Sequence, residues 1–220
     1  QFMVEHFRKV LETAAKYEVS LVVHEPIKDT GLRRTFPNMM SREGAKGQEF
    51  NGFMSSKDNN KPNHTTIIPF TRLLSSPMDY TPGIFNLVDY RYNSPEDRKI
   101  NPNHRIPSTI SKELALYVVI YAPVQMAADL PSNYEGNPAF QFILDVPTDW
   151  EETKVLNGEI GEFITIARKD INSDSWYIGS ITNEDGRSIE IEMNFLNDNA
   201  TYKATIYKDP TNGGWVNNPE

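Results

Sequence analysis

Val19-Ser20-Leu21-Val22-Val23-His24-Glu25-Pro26 decides how this chain reads. Residues 19 to 23 are apolar apart from Ser20, as in parallel strands buried on both faces. Upstream, Met3, Phe7, Val10, Leu11 and Ala14 recur at helical spacing, so residues 3–16 form an amphipathic helix. Helix, tight connection and buried strand make one step of an α/β fold. The strand ends in a carboxylate, Glu25, and a long loop rich in turn formers follows: Pro26, Asp29-Thr30-Gly31, Pro37-Asn38 and Ser41. Loops of that length in compact domains are mostly functional. In a (β/α)8 barrel the active site sits on the loops that follow the C-terminal strand ends.

Further along, residues 65–74 mix a strand with a helix start, and Asp79 lies near a strand end. Residues 55–64 read as polar and exposed, and 93–107 as a second long excursion. Ser108 or Thr109 caps a helix over about 110–121, followed by a short helical stretch from Pro123 to Ala128. Residues 131–138 mark a boundary. Beyond Trp150 the apolar period becomes two, which predicts strands at 163–167, 176–181, 188–193 and 202–207, with Asp185-Gly186 as a hairpin turn. A closed barrel needs eight strands, and only one or two read before residue 130. The expected architecture is therefore α/β plus all-β. Residues 1–136 form the C-terminal portion of a (β/α)8 barrel, and 137–220 an antiparallel β-sandwich domain that stops short of a closing strand. The start at Gln1, inside a helical pattern, reads as a piece of a longer protein.

Composition narrows the function. The 220 residues are 38% hydrophobic, enough for one large core or two smaller ones, and the net charge of −8 argues against nucleic acid as a partner. Without cysteine there are no disulfides, thiolate metal sites or cysteine nucleophiles. The sequence holds no apolar run long enough to span a membrane and no signal-peptide pattern at its start.

Two more acids, Glu43 and Glu49, follow Glu25 in Ser-Arg-Glu-Gly-Ala-Lys-Gly-Gln-Glu. Glycoside hydrolysis needs two carboxyl groups, one to protonate the leaving oxygen and one to activate water or attack. Three glutamates in one pocket repel unless a cation offsets them, and Ca2+ accepts several carboxylate oxygens. The spacing admits a metal without requiring one. Plainer readings stand beside these. Glu43 and Glu49 suit exposed loop acids, His24 a core histidine and Arg33-Arg34 a solvated pair. Asp79 suits a turn cap, and the Trp and Tyr residues beyond 150 suit sandwich core rather than sugar platforms.

Several long motifs, in order, resemble family 97 glycoside hydrolases. They are His24-Glu25-Pro26-Ile27-Lys28, Thr30 to Asn38, Arg42 to Asn51, His64-Thr65-Thr66, Pro69 to Arg72, Pro77 to Gly83 and Gln125 to Asp129. The similarity runs on through Asp145-Val146-Pro147 and Gly158 to Glu162 into the β module. The resemblance implies the last part of a barrel and most of the C-terminal domain of a bacterial enzyme, periplasmic or secreted. That enzyme would be a calcium-dependent α-glucosidase acting on α-linked oligosaccharides such as those from starch. By position, Glu49 matches the general acid and Glu25 a general base of the inverting branch. Glu25, Glu43 and Glu49 match calcium ligands, and His24 a substrate contact. The remainder of the parent polypeptide would supply a further calcium ligand, a second base and the other barrel strands. Retaining members carry a small residue where Glu25 stands and use an aspartate nucleophile from an earlier strand. Asp29 departs from the family's common proline, and Phe36 and Phe50 from its common tyrosine. The alternatives are a retaining α-galactosidase or transglycosylase of the same family, or an inactive fragment with a structural or carbohydrate-binding role.

Overall fold

A computed structural model describes residues 1–53, 60–87 and 106–211. Helix α1, Phe2–Lys16, leads into strand β1, Leu21–Val23. After the one-turn helix α2, Leu32–Thr35, strand β2, Met39–Arg42, pairs parallel with β1. An isolated parallel bridge from Arg42 to Met78 adds a third chain segment on the same side. The connection to it holds α3, Phe50–Phe53, then α4, Pro62–Ile67, and two 3-10 turns, Ile68–Phe70 and Arg72–Leu74. Residues 65–74 are thus helical apart from the break at Thr71. Asn60 and Pro62, expected at the surface, are buried, because Asn60 donates to Gly47 O and Pro62 opens α4 in the core.

Helix α5, Ile110–Val119, begins as expected: Thr109 Oγ1 accepts from Lys112 N at 3.1 Å and caps the first turn. The stretch from Pro123 to Ala128 forms no helix. Two short helices follow, α6 Pro131–Tyr134 and α7 Phe140–Asp145.

The second sheet is antiparallel in the order β3 Trp150–Glu159, β4 Phe163–Asp170, β5 Trp176–Thr182. Expected strands at 163 and 176 are present, and β3 precedes them. Those expected at 188–193 and 202–207 are not formed, so the β module shows one three-stranded sheet rather than a sandwich among the described residues. Alternation predicts which face a side chain takes but cannot supply a pairing edge. Glu190 O accepts from the Asn157 side chain of β3 at 3.2 Å instead of joining a ladder. Asp185-Gly186 therefore closes no hairpin.

One core joins the two sheets. Leu116, Val119 and Ile120 from the end of α5 pack on Ile164, Ile166 and Ile181 of the antiparallel sheet. The same cluster holds Ile68, Met78 and Tyr80, beside the parallel strand ends. At Gly179 of β5 an added Cβ would stand 2.8 Å from Ala115 O, so only glycine lets the strand lie this close to α5. Arg168 spans the same seam: Nε donates to Val118 O at 2.6 Å, and Nη1 to Thr153 Oγ1 at 2.7 Å. A second cluster of Phe85, Leu114 and Tyr134 receives Phe140 and Phe142 from α7. By contrast, β1 is only half-buried, and the α1 apolar residues Phe2, Met3, Val4 and Val10 are exposed, leaving Leu11 as the buried contact of that helix. The expectation of a strand buried on both faces is therefore not met by the described residues.

Candidate active site

Three parallel segments end on one edge: β1 at Val23, β2 at Arg42, and the bridging segment at Met78. Residues just past parallel strand ends share a side of the sheet. His24, Glu43 and Asp79 each occupy that position. Glu43 N–H donates to Val23 O at 2.8 Å, and Asp79 N–H to Arg42 O at 3.3 Å, so main-chain bonds set the spacing of the three.

His24 Nε2 and Asp79 Oδ2 are 2.7 Å apart. Asp79 is buried, whereas the His24 side chain is partly open to solvent. The hydrogen bond to Asp79 is the main reason the imidazole binds its proton more tightly than usual. Burial opposes this, and the charges of Asp79, Glu43 and Glu49 add to it. The other ring nitrogen, Nδ1, lies 3.7 Å from Glu49 Oε1. Glu43 Oε2 accepts the Glu25 backbone N–H at 3.1 Å. Glu25 itself takes a left-handed backbone (φ 49°), a conformation uncommon for a non-glycine residue and worth noting at a strand exit.

Glu49 reaches the cluster from the loop after β2. That loop is pinned on both sides: Gln48 N–H donates to Tyr80 O at 2.8 Å, and Asn60 Nδ2 to Gly47 O at 2.7 Å. Gln48 Nε2 donates to Glu113 Oε1 at 3.0 Å. Glu113, fully buried at the start of α5, also accepts from Gly83 N–H at 2.9 Å and from Ser108 Oγ. Burial raises the Glu49 carboxyl above the ordinary glutamate range. The His24 charge lowers it, and the charge and hydrogen bond of Glu43 raise it again.

Ligand atoms of His24, Glu43 and Glu49 all lie within 4.8 Å of one another. Three of the four residues picked out in the sequence are therefore brought together. Glu25 sits beside them through its amide, and its carboxylate is outside that group. The half-buried Glu43 and Glu49 are not simple exposed loop acids. Asp79, first weighed as a turn cap, is the partner of His24; its place at a strand end was the signal. Glu113 carried none, since Gly83 and Gln48, which it holds, lie 30 and 65 positions away. Arg33 faces elsewhere, pairing with Asp29 at 3.5 Å and donating to Ser75 O. Asp29 also stands 3.8 Å from Arg42 Nε, so the departure at position 29 is absorbed into an ion cluster beneath the site.

The arrangement offers a carboxyl whose proton affinity burial raises, a second carboxyl beside it and an imidazole fixed by a buried aspartate. That is equipment for acid–base chemistry or for holding an oxygen-seeking cation. The model of glycoside hydrolase 97 matches residues 1–45, and that of the glycosyl-hydrolase 97 C-terminal, oligomerisation domain matches residues 149–220. A retaining alpha-galactosidase of Bacteroides thetaiotaomicron is 38% identical over 206 residues, 93% of this chain and 30% of that protein. A "Probable retaining alpha-galactosidase" of Streptomyces bingchenggensis is 30% identical over 79% of this chain and 24% of that protein. Structures of a glycoside hydrolase family 97 enzyme from Pseudoalteromonas sp. strain K8, in complex with panose and with acarbose, superpose with a TM-score of 0.86 at 47% identity. They align with 99% of this chain and 32% of theirs. The chain thus spans about a third of the length of the Bacteroides and Pseudoalteromonas proteins. Matched at both ends by the family's models and aligned along almost its whole length with a family structure, the chain belongs to glycoside hydrolase family 97.

Proposed function

We propose that the protein containing this chain is a glycosidase that hydrolyses α-glucosidic bonds in malto-oligosaccharides with inversion of configuration. The observation that carries this is the convergence of His24, Glu43 and Glu49 within 4.8 Å at the parallel strand ends, with burial keeping the Glu49 carboxyl protonated to higher pH than usual. In this reading Glu49 protonates the glycosidic oxygen as it leaves. Glu25, one residue past His24, takes a proton from the attacking water, and His24, held by Asp79, contacts the sugar. An oxocarbenium-like transition state between the carboxyls is the chemistry such a pair serves. Complexes of the 47%-identical enzyme with panose, a trisaccharide of α-linked glucose, support the substrate class.

Glu43 and Glu49 fit an oxygen-seeking cation, because two half-buried carboxyls converge beside a partly exposed imidazole. Ca2+ held by Glu43, Glu49 and Glu25 would neutralise that repulsion and orient the carboxyls. His24 Nε2 is occupied by Asp79, and in this reading Nδ1 meets a hydroxyl of the substrate. The expected division, with barrel residues up to 136 and a C-terminal module beyond, and a periplasmic or secreted setting are part of the same proposal.

A second reading, a retaining α-galactosidase, is favoured by the names of the two curated relatives. The anomeric proton of the sugar first released separates the two. With the full-length protein, Ca2+ and maltose, NMR in the first minutes should show β-glucose. Release of α-glucose would remove Glu25 as base. Release of galactose from α-galactosides, with maltose untouched, would establish the second reading.

A further inference from the structure

Behind the site lies Arg72, between the two 3-10 turns and the strand ends. Its guanidinium Nε donates to Glu43 O at 2.9 Å, and Nη2 donates to Arg42 O at 2.8 Å and Pro77 O at 3.2 Å. Nη1 donates to Ser76 O at 2.9 Å, and also lies 3.1 Å from Ser76 Oγ and 3.3 Å from Ser75 Oγ. One side chain thus collects four main-chain carbonyls from two segments. One segment delivers Glu43 and the other runs through Met78 to Asp79. These carbonyls lie where the parallel pairing runs out, and buried carbonyls need donors. A planar fork of five N–H groups can serve two segments at once, which an ammonium cannot.

The surroundings are shaped for this group. Gly44, with φ +71°, packs so closely that an added Cβ would lie 2.9 Å from Arg72 Nε and 3.1 Å from Arg42 Nη1. Arg42 runs alongside and donates to Ser76 Oγ at 3.0 Å and Ser75 Oγ at 2.9 Å. Two guanidinium groups lie side by side with Asp29 as the acid among them, and burial pulls the Arg72 pKa down to about 10. A cation placed in such company destabilises the fold unless its hydrogen bonds offset the desolvation.

We infer that Arg72 is a positioning residue that sets the separation between Glu43 and the His24–Asp79 pair by clamping the backbone just behind them. The inference rests on the reading of those acids as the working site, but its first readout, the place of Glu43, does not. Three variants of the full-length protein test it: Arg72→Lys, Arg72→Met and Gly44→Ala. Folding is checked by circular dichroism and thermal melting. Crystal structures then locate Glu43, calorimetry measures Ca2+ affinity, and maltose kinetics separate kcat from KM.

Folded Arg72→Lys and Gly44→Ala proteins should lose the bond between Glu43 Oε2 and the Glu25 amide. Their kcat should fall about tenfold to a hundredfold, with KM within about twofold of the parent, and Ca2+ should bind about tenfold or more weakly. If both hold Glu43 in its original place and keep the parent's kcat, Arg72 does no positioning. Should Arg72→Met not fold, the other two variants decide. Should Glu49→Gln leave activity intact, the reading of the acids fails, while the crystallographic position of Glu43 still decides the role of Arg72.

Discussion

His24 and Asp79, 55 positions apart, are joined by a 2.7 Å hydrogen bond in which a buried carboxylate holds one nitrogen of an imidazole whose other nitrogen looks toward Glu49. The pairing fixes the ring's orientation in the candidate site. It also makes the ring's proton affinity a property of the fold, since the partner comes from another strand end.

Replacing Asp79 with Asn should therefore lower the His24 pKa toward its ordinary value. Asn keeps an acceptor but removes the charge, so the drop is partial. The sign for stability follows from the folded pKa lying above the unfolded value of 6.5. The pair's contribution is fully present below that value and is lost as pH rises through the folded pKa. NMR titration of the His24 ring in chelator-treated protein reads the pKa, and denaturant midpoints across pH read the stability. An unchanged midpoint in Asp79→Asn would falsify the assignment of the shift to this bond.

Glu49→Gln should abolish most turnover on maltose, by roughly a hundredfold to ten-thousandfold, the range for loss of a general acid. A substrate with a good leaving group needs less protonation and should lose less. Because Glu43 helps raise the Glu49 pKa, Glu43→Gln should move the alkaline limb of kcat/KM to lower pH. A limb that stays put would assign it to another group.

Chelation should lower both activity and the melting temperature of the full-length protein. Ca2+ should restore both better than Mg2+, which prefers a small octahedral shell and gives up its waters reluctantly. A melting curve indifferent to chelator and Ca2+ would argue that Glu43 and Glu49 share a proton instead of an ion.

Glu113→Leu should destabilise the protein by on the order of 3 kcal/mol, because the substitution strands the Gly83 N–H, the Gln48 amide and the Ser108 hydroxyl in a buried space. Denaturant midpoints measure this. Glu113→Gln, which keeps an acceptor, should cost less. Equal losses in the two variants would show that the acceptor oxygens matter little.

Much of the local structure was legible because it depends on neighbours in sequence. The spacing of Met3, Phe7 and Leu11 gave α1, Thr109 marked the start of α5, and the alternation over 163–167 and 176–181 gave two strands. The strands expected at 188–193 and 202–207 failed because pairing is not local, and a suitable alternation without an open edge makes no sheet. Glu43 and Glu49 were legible as candidates through their motif, and the fold brings both beside His24. Glu25 was placed at the right strand exit, but its left-handed backbone and the direction of its carboxylate depend on local geometry that no motif expresses.

The sequence by itself determined the family, the helices α1 and α5 and the loops that carry the acids, since these follow from residue type and spacing along one chain. Tertiary structure alone decided that Asp79 meets His24, that Glu113 holds Gln48 and Gly83, and that Arg72 gathers the carbonyls of two strand ends. The physical reason is the same in each case. A buried charge must find its partners wherever the fold brings donors and acceptors together, and parallel strands set those partners dozens of residues apart.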